Sequence, residues 1–393
     1  MKRVLHSIAP AILLAISVGQ IYAFTNFATP IAQTIGATKA NVQFAFSLGI
    51  FFLGMGAAFF GKIVEKNIKV ASIIGTSLFL FGLCSTALAV HLTSILLLYI
   101  GYGVLLGLGT GIIYIVPVKT MMLWYPNNKA LAAAVPIVSF GLGATLSTLV
   151  FHIMGDWSIC HKLLTFVVFY LPIMVIGICL LQKPLAFANV SVAHSYISFK
   201  YKALLHDTYF IRAWLFMLIN ISCGLMLIPL AKQMMVVKEV DYSVGTVAWI
   251  VGMCGVFNGA GRLIFAWMSD KIIDRIDALF LISISSIAVL IGNFNCPQVI
   301  GFSLLMINAL YGAGFAVIPG ILAEHYGMEN ISKIHGAVLS AWGIAGLIGH
   351  QVAIFTESLF GSQVSVIILL CLLYGVNVIN SNRLKHIHKN HKI

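Results

Sequence analysis

The sequence predicts an all-α polytopic membrane protein with twelve transmembrane helices arranged as two six-helix bundles, and three observations predict it. Of the 393 residues, 60% are apolar and only 9% are Asp, Glu, Lys or Arg, about a third of the roughly 25% charged share of soluble domains. Apolar runs of about 20 residues, enough to cross roughly 30 Å of hydrocarbon at 1.5 Å per residue, recur along the whole chain. The runs are apolar on every face, as in Ile95–Ile100 and Val366–Tyr374, whereas barrel strands alternate apolar and polar residues over about 10 positions.

The first span, 8–28, follows Met1-Lys2-Arg3. It exceeds the 7–15 residues of a secretory h-region and has no A-x-A site after it, so it reads as a retained span. Spans 43–63 and 70–90 flank the charged turn from Lys62 to Lys69, and 95–118 closes at Pro117 and Lys119. Span 130–152 opens after Pro126-Asn-Asn-Lys129, and 163–182 stops at Lys183. In the second half, 212–232 runs from Arg212 to Lys232, 244–267 ends before Asp270-Lys271, and 278–295 follows Arg275. Span 299–322 ends before Glu324, 334–356 lies between Lys333 and Glu357, and 362–380 precedes Arg383. The domains expected are a bundle over 1–183, a cytoplasmic central loop over 184–211, a second bundle over 212–381 and a basic tail over 382–393.

Lys and Arg in the connections set orientation, because they concentrate on the cytoplasmic side. With the N-terminus inside, 18 of the 23 basic residues fall on inside segments, and four, Lys39, Lys162, Lys232 and Lys238, on outside ones. The split predicts an inner (cytoplasmic) membrane protein with both termini cytoplasmic. It also accounts for the net charge of +12 without a nucleic-acid partner, which would need Lys and Arg clustered on one face. The seven cysteines are scattered and lack a C-x-x-C pair, so neither a disulfide framework nor a zinc site is indicated. No cofactor and no metal is expected. The His386, His388 and His391 run lies among basic residues and reads as a solvated positive tail.

The halves correspond. Gly109-x-Gly111 leads to Pro117 and Gly312-x-Gly314 leads to Pro319, 202 residues apart; Phe140-Gly141 and Trp342-Gly343 keep the same offset. After the second span comes Gly61-Lys-Ile-Val-Glu65-Lys66, and after the eighth comes Ala266-Trp-Met-Ser-Asp270-Lys271 leading to Arg275, the acids 205 apart. Duplicated bundles are a transporter signature, with the substrate held between the repeats.

That twice-occurring loop resembles the signature loop of the major facilitator superfamily, with Ile68 and Ile273 where the family has its second glycine. Further residues are similar to the oxalate/formate antiporter family of organic-anion carriers. They are Ile21-Tyr22-Ala-Phe-Thr25, Gly109-Thr-Gly111-Ile-Ile-Tyr114 through Pro117 to Trp124-Tyr-Pro126, Asn258-Gly-Ala-Gly-Arg262, and Tyr311-Gly-Ala-Gly-Phe315 through Pro319. The resemblance implies a secondary transporter with gating loops at Gly61, Glu65 and Lys66 and at Asp270, Lys271 and Arg275.

Arg262 is the one basic residue placed inside a span, where a charge at the centre of an isolated helix costs about 2.5–3.5 kcal/mol on insertion scales. Two roles are open for it. Its guanidinium binds a carboxylate in a bidentate way, as the resemblance implies, or it snorkels from a position six residues before a helix end near Met268. Tyr22, Tyr114, Tyr311 and Phe315 fall where the resemblance implies an aromatic box around the anion; packing is the plainer use. Trp342 stands where the family's dicarboxylate carriers have a lysine, and one cation in place of two favours a singly charged anion; packing against the fifth span is its alternative. Gln20, Asn26 and Asn258 are polar within spans and suit either substrate or interhelical hydrogen bonds. Within the spans, His350 is the candidate proton site.

The expected function is therefore transport of a small organic anion, a monocarboxylate first, by proton symport or anion exchange, by a monomer embedded in the lipid bilayer. Import of a larger polycarboxylate such as a siderophore is the alternative in that class. A non-transporting membrane sensor with the transporter fold is the alternative in another. No H-E-x-x-H, G-x-S-x-G or intramembrane aspartate pair supports an enzyme.

Overall fold

The computed structural model describes residues 2–184, 201–236, 243–295 and 299–391. Among them there is no strand, and twelve helices are long and apolar enough to cross a membrane. They are α1 (Arg3–Ile35), α2 (Lys39–Lys66), α3 (Ile68–His91), α4 (Ile95–Trp124), α5 (Lys129–Ile153) and α6 (Ile159–Leu180). The others are α7 (Thr208–Val236), α8 (Val244–Lys271), α9 (Arg275–Asn295), α10 (Ile300–Tyr326), α11 (Ile331–Phe360) and α12 (Gln363–His391). Of the expected central loop, 185–200 lies outside the described residues, and Tyr201–Leu204 forms a single helical turn.

The helices outrun the apolar runs because polar caps extend them into the interface. Thr38 accepts a hydrogen bond from the Asn41 amide at 3.2 Å, so α2 begins four residues before its apolar run. The connection from α2 to α3 is the single residue Asn67, in extended conformation. Its Oδ1 accepts from the amides of Lys69 and Val70 at 3.0 and 3.1 Å, which satisfies donors left orphaned at a helix start. Ile68, which replaces the family's glycine, is the first helical residue and is buried. The turn accommodates it because that position needs no left-handed backbone. At the C-terminus α12 continues through His391 rather than ending at 380, and the expected solvated tail is helical. Leu384 and His388 are buried there, and His388 Nδ1 lies 3.4 Å from the Tyr209 hydroxyl.

Two compact units emerge. The first comprises the described residues of Met1–Ser198 with Tyr326–Gly343, and the second those of Phe199–His325 with Ile344–Ile393, so α11 contributes to both. In the first unit α2 packs on α4, α3 on α4 and α6, and α1 on α5 and α6. In the second, α9 and α7 pack on α12. Two irregularities interrupt the first unit: a 3₁₀ stretch at Gly19–Ala23 within α1 and a π-helical stretch at Tyr99–Leu106 within α4. The first lies where α1 crosses α5 backbone to backbone. A Cβ on Gly143 would come within 2.7 Å of the Gly19 Cα, so any larger residue there would force the helices apart.

Candidate functional site

In the first unit the sequence-predicted residues Tyr22, Tyr114 and Trp342 meet. Tyr22 comes from the 3₁₀ break in α1, Tyr114 from α4 and Trp342 from α11. Their ring centroids are 6.4 Å apart for Tyr22 and Trp342 and 5.4 Å apart for Tyr114 and Trp342. Phe140 of α5 joins them, 5.4 Å from Tyr22, 5.3 Å from Tyr114 and 5.9 Å from Trp342, each pair edge-on. His335 of α11 lies 6.4 Å from Tyr114. Edge-to-face pairs at 4.5–7 Å add roughly 0.5–1.5 kcal/mol each beyond burial, so this is a preformed, rigid aromatic wall. Phe140 and His335 were not among the predicted site residues. The Phe140-Gly141 pair matching Trp342-Gly343 was the one signal that could have placed Phe140 there.

Gln20 sits beside Tyr22 in the 3₁₀ break and is fully buried. Among the described residues, neither its Nε2 nor its Oε1 has a hydrogen-bond partner, an arrangement that costs about 1–3 kcal/mol unless another group meets the amide. Asn26, two turns on, is instead committed to structure: its Nδ2 donates to Thr148 Oγ1 of α5 at 2.8 Å.

In the second unit Arg262 projects from α8. That helix runs to Lys271 rather than ending near Met268, which puts Arg262 nine residues, about 13.5 Å, from its end. The side chain is only 4% exposed. Its Cζ lies 5.5 Å from the ring centroid of Phe315 of α10, within cation–π range. Tyr311, one turn before Phe315, presents its ring edge-on at 5.5 Å, and its carbonyl accepts from Asn220 Nδ2 at 3.1 Å. The structure thus brings Arg262, Tyr311 and Phe315 together. Asn258 donates through Nδ2 to the Asn308 carbonyl at 2.9 Å, joining α8 to α10. His350 lies on α11, but its side chain falls outside the described residues.

The predicted loops carry acids at helix ends. In the first unit the Glu65 carboxylate pairs with Lys119 of α4, and both side chains are nearly buried. Its second oxygen accepts from the Ser332 amide at 2.5 Å, in the first turn of α11, where helix donors and the helix dipole favour a carboxylate. Lys119, which closes the fourth apolar run, is therefore an ion-pair partner. Gly61 lets α11 approach, since a Cβ there would stand 2.5 Å from the Ser332 oxygen and 2.8 Å from the Lys333 Cα. In the second unit Arg275 bridges two acids, Asp270 at 2.7 Å and Glu324 of α10 at 3.0 Å. Lys66 and Lys271 are exposed.

Comparison with known proteins points the same way. Residues 11–350 match the model of the Major Facilitator Superfamily. An uncharacterized MFS-type transporter of Escherichia coli, YhjX, is 26% identical over 349 residues, covering 86% of this chain and 84% of that protein. The oxalate:formate antiporter of Oxalobacter formigenes is 22% identical over 380 residues, covering 93% and 88%. Among solved structures, the transporter FucP in its outward conformation superposes with a TM-score of 0.72 at 15% identity, covering 96% of this chain and 98% of that one. A bacterial homologue of the iron transporter ferroportin gives 0.74 at 12%, covering 98% and 100%.

Proposed function

The chain belongs to the Major Facilitator Superfamily and has the fold of its alternating-access transporters, and from that premise we propose that it carries a small organic anion, a monocarboxylate, across the cytoplasmic membrane. The observation that carries this reading is the buried Arg262 guanidinium held against Phe315 in the interior of α8. A buried cation with a planar donor fork beside an aromatic ring suits a carboxylate, which such a fork meets through two parallel hydrogen bonds. The relative named as an oxalate:formate antiporter supports the organic-anion class.

Charge balance narrows the class. Trp342, where the dicarboxylate carriers of that resembling family have a lysine, is buried in an aromatic wall. One cation neutralises one carboxylate. Within the first unit, Gln20 presents a buried amide that a polar ligand group would satisfy, and Tyr22 and Tyr114 supply ring faces and hydroxyls. We assign gating to the loop acids. Glu65 ties α2 and α4 to the first turn of α11, and releasing that carboxylate frees the helix end for the movement that opens the site. Arg275, held between Asp270 and Glu324, serves the second unit in the same way.

Proteoliposomes containing the full chain test the reading. Uptake of labelled formate, acetate or lactate, driven by an imposed pH gradient or by internal anion, is the expected result. Failure of every mono-, di- and tricarboxylate to be transported or to compete would overturn the anion assignment.

A further inference from the structure

We propose that a cleft at the ends of α3 and α6 in the first unit, remote in sequence from the aromatic wall, binds the phosphate of an anionic membrane lipid. The cleft, of about 410 Å³, is lined by Lys66, Lys69 and Lys183, by Asn67, and by Ile68 and Leu181. No acid lines it, and among the described residues none of the three lysines has an ion-pair partner. The neighbouring acid, Glu65, is already taken by Lys119 and the Ser332 amide. Three lysines thus line one opening, and among the described residues no acid lines it with them.

The backbone that carries these lysines is fixed. Asn67 caps α3 through two hydrogen bonds and sets the positions of Lys66 and Lys69. The segment after α6 is pinned from two sides. His6 Nδ1 lies 3.0 Å from the Leu180 carbonyl, and Trp124 Nε1 donates to the Gln182 carbonyl at 2.9 Å. Lys183 follows directly. The cations are therefore presented by an ordered frame, which lowers the cost of holding a ligand.

The apolar surroundings select a lipid as the source of the phosphate. Ile68 and Leu181, both buried, form the floor, and α3 packs against α6 along the bundle. Within two turns of the cleft, α3 exposes Val70 and Ile73 and α6 exposes Val175 and Ile176. These side chains leave apolar surface exposed on both helices close in sequence to the lysines, where acyl chains would lie. Basic pockets at this depth between membrane helices suit anionic headgroups, and each Lys near the surface contributes about 1 kcal/mol. The charge distribution assigns this end to the cytoplasmic side, the leaflet whose anionic lipids attract basic segments.

Native mass spectrometry of the full chain released from detergent, titrated with phosphatidylglycerol or with phosphatidylcholine, tests the site. The expected result is a saturable phosphatidylglycerol adduct that phosphatidylcholine does not form, weakened about 30-fold in Lys69→Gln/Lys183→Gln. Lys69→Arg/Lys183→Arg should retain it, and Lys129→Gln/Lys202→Gln, which removes the same charge elsewhere, should shift it less than about 3-fold. Unchanged binding by Lys69→Gln/Lys183→Gln, or equal loss in the Lys129→Gln/Lys202→Gln control, would overturn the site. If the Arg variant loses the adduct as the Gln variant does, the site is likewise overturned, because the charge is then not what binds. Protection by inorganic phosphate or glycerol 3-phosphate alone, at concentrations matching the lipid, would overturn the lipid as its occupant.

Discussion

Removing the Glu65 carboxylate should destabilise the first unit through two separable losses. The Glu65 and Lys119 side chains are 5% and 6% exposed, so Glu65→Ala leaves Lys119 as a nearly buried, unpaired ammonium, a change that typically costs about 3–5 kcal/mol. It also leaves the Ser332 amide without its 2.5 Å acceptor. Glu65→Gln keeps an acceptor of the same size and should recover about 1–2 kcal/mol of that loss, the worth of one hydrogen bond. Lys119→Met in the Glu65→Gln background removes the stranded charge, and apolar replacement of a whole buried pair is often neutral or better. Thermal unfolding of the full chain in detergent, followed by tryptophan fluorescence, reads the series. The melting temperature should fall in the order wild type, Glu65→Gln, Glu65→Ala, with Glu65→Gln/Lys119→Met recovering above Glu65→Gln alone. Additive losses in the double variant would refute the ion pair as the energetic link between α2 and α4.

Three further outcomes follow from the same geometry. Gln20→Leu should leave the ligand-free protein as stable or up to about 2 kcal/mol more stable, because it removes a buried amide without a partner, while lowering uptake at least tenfold; melting and uptake measured on one preparation separate the two. Trp342→Lys should shift competition for uptake from monocarboxylates towards dicarboxylates, read as the ratio of inhibition by acetate and by oxalate, and an unchanged ratio would sink the charge-counting argument. Gly143→Ala should lose about 1–3 kcal/mol through overpacking against Gly19, visible as a lower melting temperature with no change in substrate preference.

The twelve spans were legible because crossing hydrocarbon imposes a length and a composition that no other demand on the chain imitates. Helix ends were not, because they depend on side chains outside the apolar run. Asn67 and Thr38 extend helices by capping, and α8 gains three residues beyond Met268, which turns a snorkelling distance for Arg262 into an interior one. Tyr22, Tyr114 and Trp342 could be chosen from motifs, and they meet. Phe140 and His335 join them only through packing among α1, α4, α5 and the first half of α11. The pairing of Lys119 with Glu65 was hidden for the same reason: the two lie 54 residues apart, and it is the close packing of α2 on α4 that turns an apparent interfacial lysine into a buried partner.

The measurement that bears most directly on the central claim is uptake by Arg262 variants in proteoliposomes, with folding checked by melting temperature. Arg262→Lys keeps the charge but loses the bidentate fork, and should retain a small part of transport with a raised KM. Arg262→Ala should abolish transport of every carboxylate that the wild type carries, while the protein remains folded. Normal uptake of those carboxylates by a folded Arg262→Ala protein would contradict the account.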